Sequence, residues 1–99
     1  MISVNIIKAY RDVVAICDSD LLGKKFEDNN FQLDLKESFY KGKEVNGKEL
    51  IGIIEKMIGE DATFNIVGEE SIKIALKIGI INKNGIKEIQ GVPFALVLL

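Results

Sequence analysis

Apolar positions recur along this chain with a period of two in its first third and with a helical period further on. Ile2 to Ala9 and Val13 to Cys17 are β-branched runs separated by Tyr10-Arg11-Asp12, the spacing of a hairpin. In the second run Val13, Ala15 and Cys17 share one face, and Val14 and Ile16 share the other. Two apolar faces predict a central strand covered on both sides. Asp18-Ser19-Asp20 ends it, and Ser19 or Asp20 is placed to cap a short turn through Leu21-Leu22 that Gly23 closes. Lys25-Phe26-Glu27 and Phe31 to Leu35 flank Asp28-Asn29-Asn30, which predicts a second hairpin. Phe31, Leu33 and Leu35 alternate with Gln32 and Asp34, so this strand has one wet face.

The helical period begins after Asn46. Asn46 and Glu49 have the spacing of a capping box, and Leu50, Ile53, Ile54, Met57 and Ile58 form one buried stripe. Gly59 is placed to stop this helix. A strand is expected over Ala62 to Val67, then Gly68, then a helix over Glu69 to Ile78 ended by Gly79. Asn84-Gly85 marks a turn. Ile86 to Ile89 and Val92 to Leu99 read as strands joined at Gln90-Gly91. The unit from Ala62 through the second helix to the last strands has the form of a right-handed β-α-β crossover. The expected fold is therefore α+β: a mixed, hairpin-rich β-sheet with two α-helices packed on it, in one domain over residues 1–99.

Composition narrows the chemistry. The chain has 99 residues, the size of one domain, and its 47% hydrophobic and 28% charged residues fit a folded protein with its own core. No apolar run has the ~20 residues that span a bilayer, and the start lacks signal-peptide character, so the expected location is the cytoplasm and no membrane partner is expected. With no histidine and one cysteine, Cys17, neither the usual zinc sites nor a histidine-dependent triad can be assembled. No catalytic residue, metal ligand or cofactor is assigned. The net charge is −2, and Arg11 is the sole arginine, so the basic excess of a duplex-DNA binder is missing.

Asp20-Leu21-Leu22-Gly23-Lys24-Lys25-Phe26, Phe39-Tyr40-Lys41-Gly42, Asn65-Ile66-Val67-Gly68-Glu69 and Gly91-Val92-Pro93 occur in this order along the chain. Together they resemble the archaeal domain-of-unknown-function family 424, over nearly the whole length. The resemblance implies an archaeal cytosolic protein of about this size and brings no established activity. In that family the Gly-Val-Pro segment often runs on into His-Ala-Gln. Here it runs into Phe94-Ala95-Leu96, so a role resting on that histidine or glutamine does not carry over.

Four groups of residues bear on function. Val67-Gly68-Glu69-Glu70 joins a strand to a helix start, a junction that can bind anions; Glu69 and Glu70 favour a structural role instead. Asp12, Asp18 and Asp20 are three carboxylates near strand ends, suited to Mg²⁺ but explained more simply by turns and caps. Cys17 lies in an apolar strand with nothing to activate it, as an inert buried thiol does. Lys24, Lys25, Tyr40, Lys41 and Lys43 are the candidate nucleic-acid-binding residues: lysines neutralise phosphates while an exposed Phe39 or Tyr40 stacks on unpaired bases. That role requires the four lysines to converge on one face; otherwise they form a solvated surface with the aromatics in the core.

The first functional expectation is a non-catalytic module that binds RNA or a ribonucleoprotein and is linked to translation. Its partner would be structured or ribosomal RNA or a translation-related protein. The second is a protein-interaction module or homo-oligomer that uses a sheet edge or the apolar end Phe94 to Leu99. The third is a small enzyme restricted to carboxylate, lysine or tyrosine chemistry.

Overall fold

In the computed structural model, which describes residues 1–98, the first two runs form an antiparallel pair, β1 (Ile2–Ile7) and β2 (Val13–Asp18). A short 3-10 turn, Ser19–Leu21, leads into a small separate sheet of β3 (Lys25–Glu27) and β4 (Gln32–Asp34). Next come α1 (Glu37–Tyr40), β5 (Lys43–Val45), α2 (Gly47–Gly59), β6 (Thr63–Val67) and α3 (Glu69–Lys77). A second 3-10 turn, Lys83–Gly85, precedes β7 (Lys87–Ile89) and β8 (Val92–Val97). The predicted last strand ran to Leu99; Leu98 follows β8, and Leu99 lies outside the described residues.

The main sheet has six strands in the order β5-β1-β2-β6-β8-β7. Only β2 and β6 pair in parallel, with Val13 beside Thr63 and Cys17 beside Val67. The fold is α+β with a mixed sheet, as the sequence implied. The expected β-α-β unit is present as β6-α3-β7: both strands run antiparallel to β8 and so parallel to each other, and the chain reverses only at Gln90-Gly91, which places β8 between them. The short α1 and β5 are additions to the sequence reading.

Burial explains the layers. Ile2, Val4, Val14, Ile16, Phe64, Ile66, Ala95 and Val97 line one sheet face, against Leu50, Ile54 and Met57 of α2 and Ile72 and Ala75 of α3. Ala15, Cys17 and Val67 on the other face meet Leu33, Leu35 and Tyr40. β2 is thus covered on both sides, as its two apolar faces require. The capping box of α2 forms as read: Asn46 Oδ1 accepts from Glu49 N at 2.8 Å, and Glu49 Oε1 accepts from Asn46 N at 3.0 Å. Among the described residues no helix is long and apolar enough to cross a membrane.

A single carboxylate joins strand to helix. Asp18, at the end of β2, accepts from Glu70 N at 3.0 Å, from Ser71 N at 2.9 Å and from Ser71 Oγ at 2.6 Å. It caps α3 from more than fifty residues away. Gly68 makes room for it, with φ of 110°, and a Cβ at that position would overlap the Asp18 carboxylate. Gly68→Ala is therefore expected to cost about 2–5 kcal/mol, from backbone strain and a displaced cap. Gly52 is exposed within α2 with open space around it, so Gly52→Ala is expected to stabilise by about 0.5–1 kcal/mol. Denaturant midpoints of the two variants check both values.

Candidate functional site

The lysine segments form no single surface. Lys24 and Lys25 begin the small hairpin, and Lys25 Nζ pairs with Glu27 at 3.4 Å. Lys43 lies in β5 opposite Val4, on the sheet face packed by α2 and α3. The hairpin covers the opposite face. Lys41 follows α1, and the next residue, Gly42, sits so close to the Val4 backbone that a Cβ would overlap it. All four lysines are exposed, yet Lys43 projects to the side away from Lys24 and Lys25.

Tyr40, expected as a stacking platform, is only 8% exposed and belongs to the second core. Its ring meets the half-buried Phe39 edge-on at 4.9 Å. Burial pushes its hydroxyl up to about 12, with a further contribution from Cys17. The physical reason is tertiary: Ser3 Oγ donates to the Tyr40 carbonyl at 3.0 Å and Asn5 Nδ2 to the Phe39 carbonyl at 2.7 Å, which fasten α1 against β1.

The three aspartates also separate. Asp12 precedes β2 and Asp18 ends it, roughly 20 Å away along an extended strand. Asp12 pairs with Lys8 at 3.1 Å and accepts from Ala9 N, and these hydrogen bonds hold its carboxyl below the usual range. Asp18 and Asp20 remain together beside an open cleft of about 610 Å³ that Ser19, Glu69, Glu70 and Lys73 also line. A smaller neighbour of about 200 Å³ lies between Asp20, Leu21, Glu69 and Gly91-Val92-Pro93. Three of the segments that carry the family resemblance thus meet here. The N–H groups of Glu70 and Ser71 at the start of α3 are already taken by Asp18, so the junction does not offer these two to an anion.

The exposed apolar surface lies elsewhere, at the end of β8. Phe94 is level with Val67 and packs in the second core, whereas Leu96 and Leu98, further along the same side, are 59% and 71% exposed. By register Leu96 neighbours Asn65, and Thr63 neighbours Val13 and, beyond it, Ile7. The hairpin layer stops short of these residues, which leaves an uncharged strip of sheet face. The strand edge is open there too. β7 pairs only with Val92 to Phe94. Gly68 N donates to the Pro93 carbonyl at 2.9 Å, so odd-numbered β8 residues turn their backbone groups toward β6 and even-numbered ones turn outward. The N–H and C=O of Leu96 therefore face an edge along which no strand runs among the described residues. A groove of about 340 Å³ opens at that point between Gly85, Lys87 and Phe94 to Leu96. The sequence signal for this surface was a run apolar at every position from Val92 onward.

Cys17 is buried, and desolvation, followed by the charges of Asp18 and Asp20, pushes its thiol up to about 12. The folded protein keeps the Cys17 and Tyr40 protons above the ordinary values of 9.0 and 10.0, where the unfolded chain releases them. The stability these two groups contribute is therefore full below pH 9 and is expected to fall as pH rises from 9 toward about 12. Cys17→Ala is expected to move the onset of that fall to near pH 10, as read from denaturant unfolding across alkaline pH.

The family model described as "Protein of unknown function (DUF424)" matches residues 7–99. Among solved structures, the chain is similar to the crystal structure of an uncharacterized conserved protein from Methanopyrus kandleri. The two share 27% identity with a TM-score of 0.84, over 98% of this chain and 91% of that one. No curated protein matches.

Proposed function

We propose that this chain, which belongs to the DUF424 family of proteins of unknown function, is a non-catalytic protein-interaction module that works through the open edge of β8. One observation carries the reading: Leu96 and Leu98 stand exposed on an uncharged strip of sheet, beside a strand edge with outward-facing backbone groups. An added strand gains main-chain hydrogen bonds from such an edge, and the alternate side chains supply specificity. The apolar strip adds the hydrophobic term. The non-catalytic part is supported by Cys17 and Tyr40, which burial keeps protonated and therefore weak as nucleophiles. A cytoplasmic location belongs to the same reading, supported by a lone, unpaired cysteine.

Exposure of Lys24, Lys25, Lys41 and Lys43 favours a second reading, binding of structured or ribosomal RNA or of a ribonucleoprotein linked to translation. The burial of Tyr40 and the separation of Lys43 from the hairpin lysines weigh against it.

Affinity purification from the native cells distinguishes the two. A protein partner is expected to be retained when all four lysines become alanine and to be lost from the Leu96→Lys variant. RNA recovered instead, in a salt-sensitive manner that depends on those lysines, would reverse the order of the readings.

A further inference from the structure

We propose that the partner at this edge is a second copy of the chain, with its β8 antiparallel to the first about a two-fold axis at Val97. The proposal rests on the interaction reading above and adds the occupant and its register.

The outward-facing residues fix that register. An antiparallel partner bonds through residues whose N–H and C=O point outward, here Leu96 and, by continued alternation, Leu98. Centring on Val97 sets Leu96 opposite the second copy's Leu98 and the reverse, so both leucines of each copy gain a backbone partner. The four side chains then meet on one face, the face where Leu96 and Leu98 are exposed. Centring on Leu96 would instead bring the second copy's Leu98 to the place beside Phe94 that Lys87 already occupies.

Charge agrees with this choice. Val97 is level with Phe64, so the turn Glu60-Asp61 that precedes β6 lies about three residues beyond the axis. Lys87 is level with Phe94, three residues before it. In the dimer Lys87 of one copy comes toward the start of the other copy's β6, beside the Glu60-Asp61 turn that leads into Thr63. A basic end, Lys83 and Lys87, meets an acidic end, Glu60 and Asp61, twice by symmetry. The β8 edge itself has no charge, bulge or outward-facing proline from Ala95 to Leu98 to discourage pairing. At the other end of the sheet, by contrast, the edge strand β5 is three residues long and two of them are Lys43 and Glu44.

The test uses the purified chain alone, by light scattering and sedimentation across a dilution series. The wild type is expected to dimerise. Leu96→Lys and Leu98→Lys are expected to raise the dissociation constant by about tenfold or more with the melting temperature of the monomer unchanged. Lys87→Glu is expected to weaken the dimer at low salt, and adding Asp61→Lys is expected to restore it. At the axis the two Val97 residues form a non-hydrogen-bonded pair with Cα atoms about 4.5 Å apart, within disulfide range. Val97→Cys is therefore expected to yield a covalent dimer on mild oxidation, while the buried Cys17 does not compete. A wild type that stays monomeric at its highest soluble concentration would overturn the proposal. So would a dimer insensitive to Leu96→Lys and not cross-linked by Val97→Cys. A monomer that still loses a cellular protein through Leu96→Lys sinks the second copy and leaves the interaction reading intact; a monomer with no such protein sinks both.

Discussion

The carboxylate of Asp18 is the point on which the architecture turns. It ends β2, caps α3, and lies against Gly68, whose N–H reaches β8 through Pro93. Three separate parts of the chain meet at one buried charged group. A buried carboxylate is tolerated only when its lone pairs are filled, and a helix start only when its first N–H groups find acceptors. Here each requirement meets the other. The arrangement sets where α3 begins and how it lies over the sheet. It also decides what the neighbouring cleft can do. An unoccupied helix N-terminus would attract phosphate; this one faces Asp18, with Glu69 and Glu70 at its mouth.

Elements whose reasons are local were legible in the sequence. The capping box and stripe of α2 specify a helix from within a dozen residues, and the two apolar faces of β2 specify cover on both sides. α1 and β5 were missed because their reasons are tertiary. Four residues cannot nucleate a helix by propensity. Glu37–Tyr40 turns because its carbonyls meet Ser3 and Asn5 of β1. β5 has one buried residue, Val45, and is held by pairing with β1. Strand order was illegible for the same reason. Periodicity reports which face is buried and says nothing about which strands become neighbours, so the β6-α3-β7 crossover was readable while the place of β8 between its two strands was not.

The candidate sites divide along the same line. A lysine beside an aromatic gives the same sequence whether the ring points outward or inward. Tyr40 points inward because the sheet face over Ala15 and Cys17 needs cover and α1 supplies it. The three aspartates gave one cluster in sequence and two locations in space, because a strand of six residues carries its ends far apart. Asp18 was assigned the right kind of role, a cap, but the helix it caps lies at the far end of a contact no local pattern reveals.

β8 follows the rule that explains β2, with one difference. Both strands are apolar at alternate and intervening positions, and such a strand needs a covering layer on each side. For β2 the chain provides both, helices on one face and the hairpin with α1 on the other. For β8 the helical face is covered throughout by α3, at Ala95 and Val97, but the hairpin face is covered only as far as Phe94. Leu96 and Leu98 obey the pattern of buried residues and lack the layer that would bury them. Beyond β7 the edge groups of the same stretch also lack a strand among the described residues. One deficiency alone would be ordinary surface. Missing cover and missing strand on the same few residues define a complementary shape, an extended apolar segment lying alongside β8, and β8 itself has that shape.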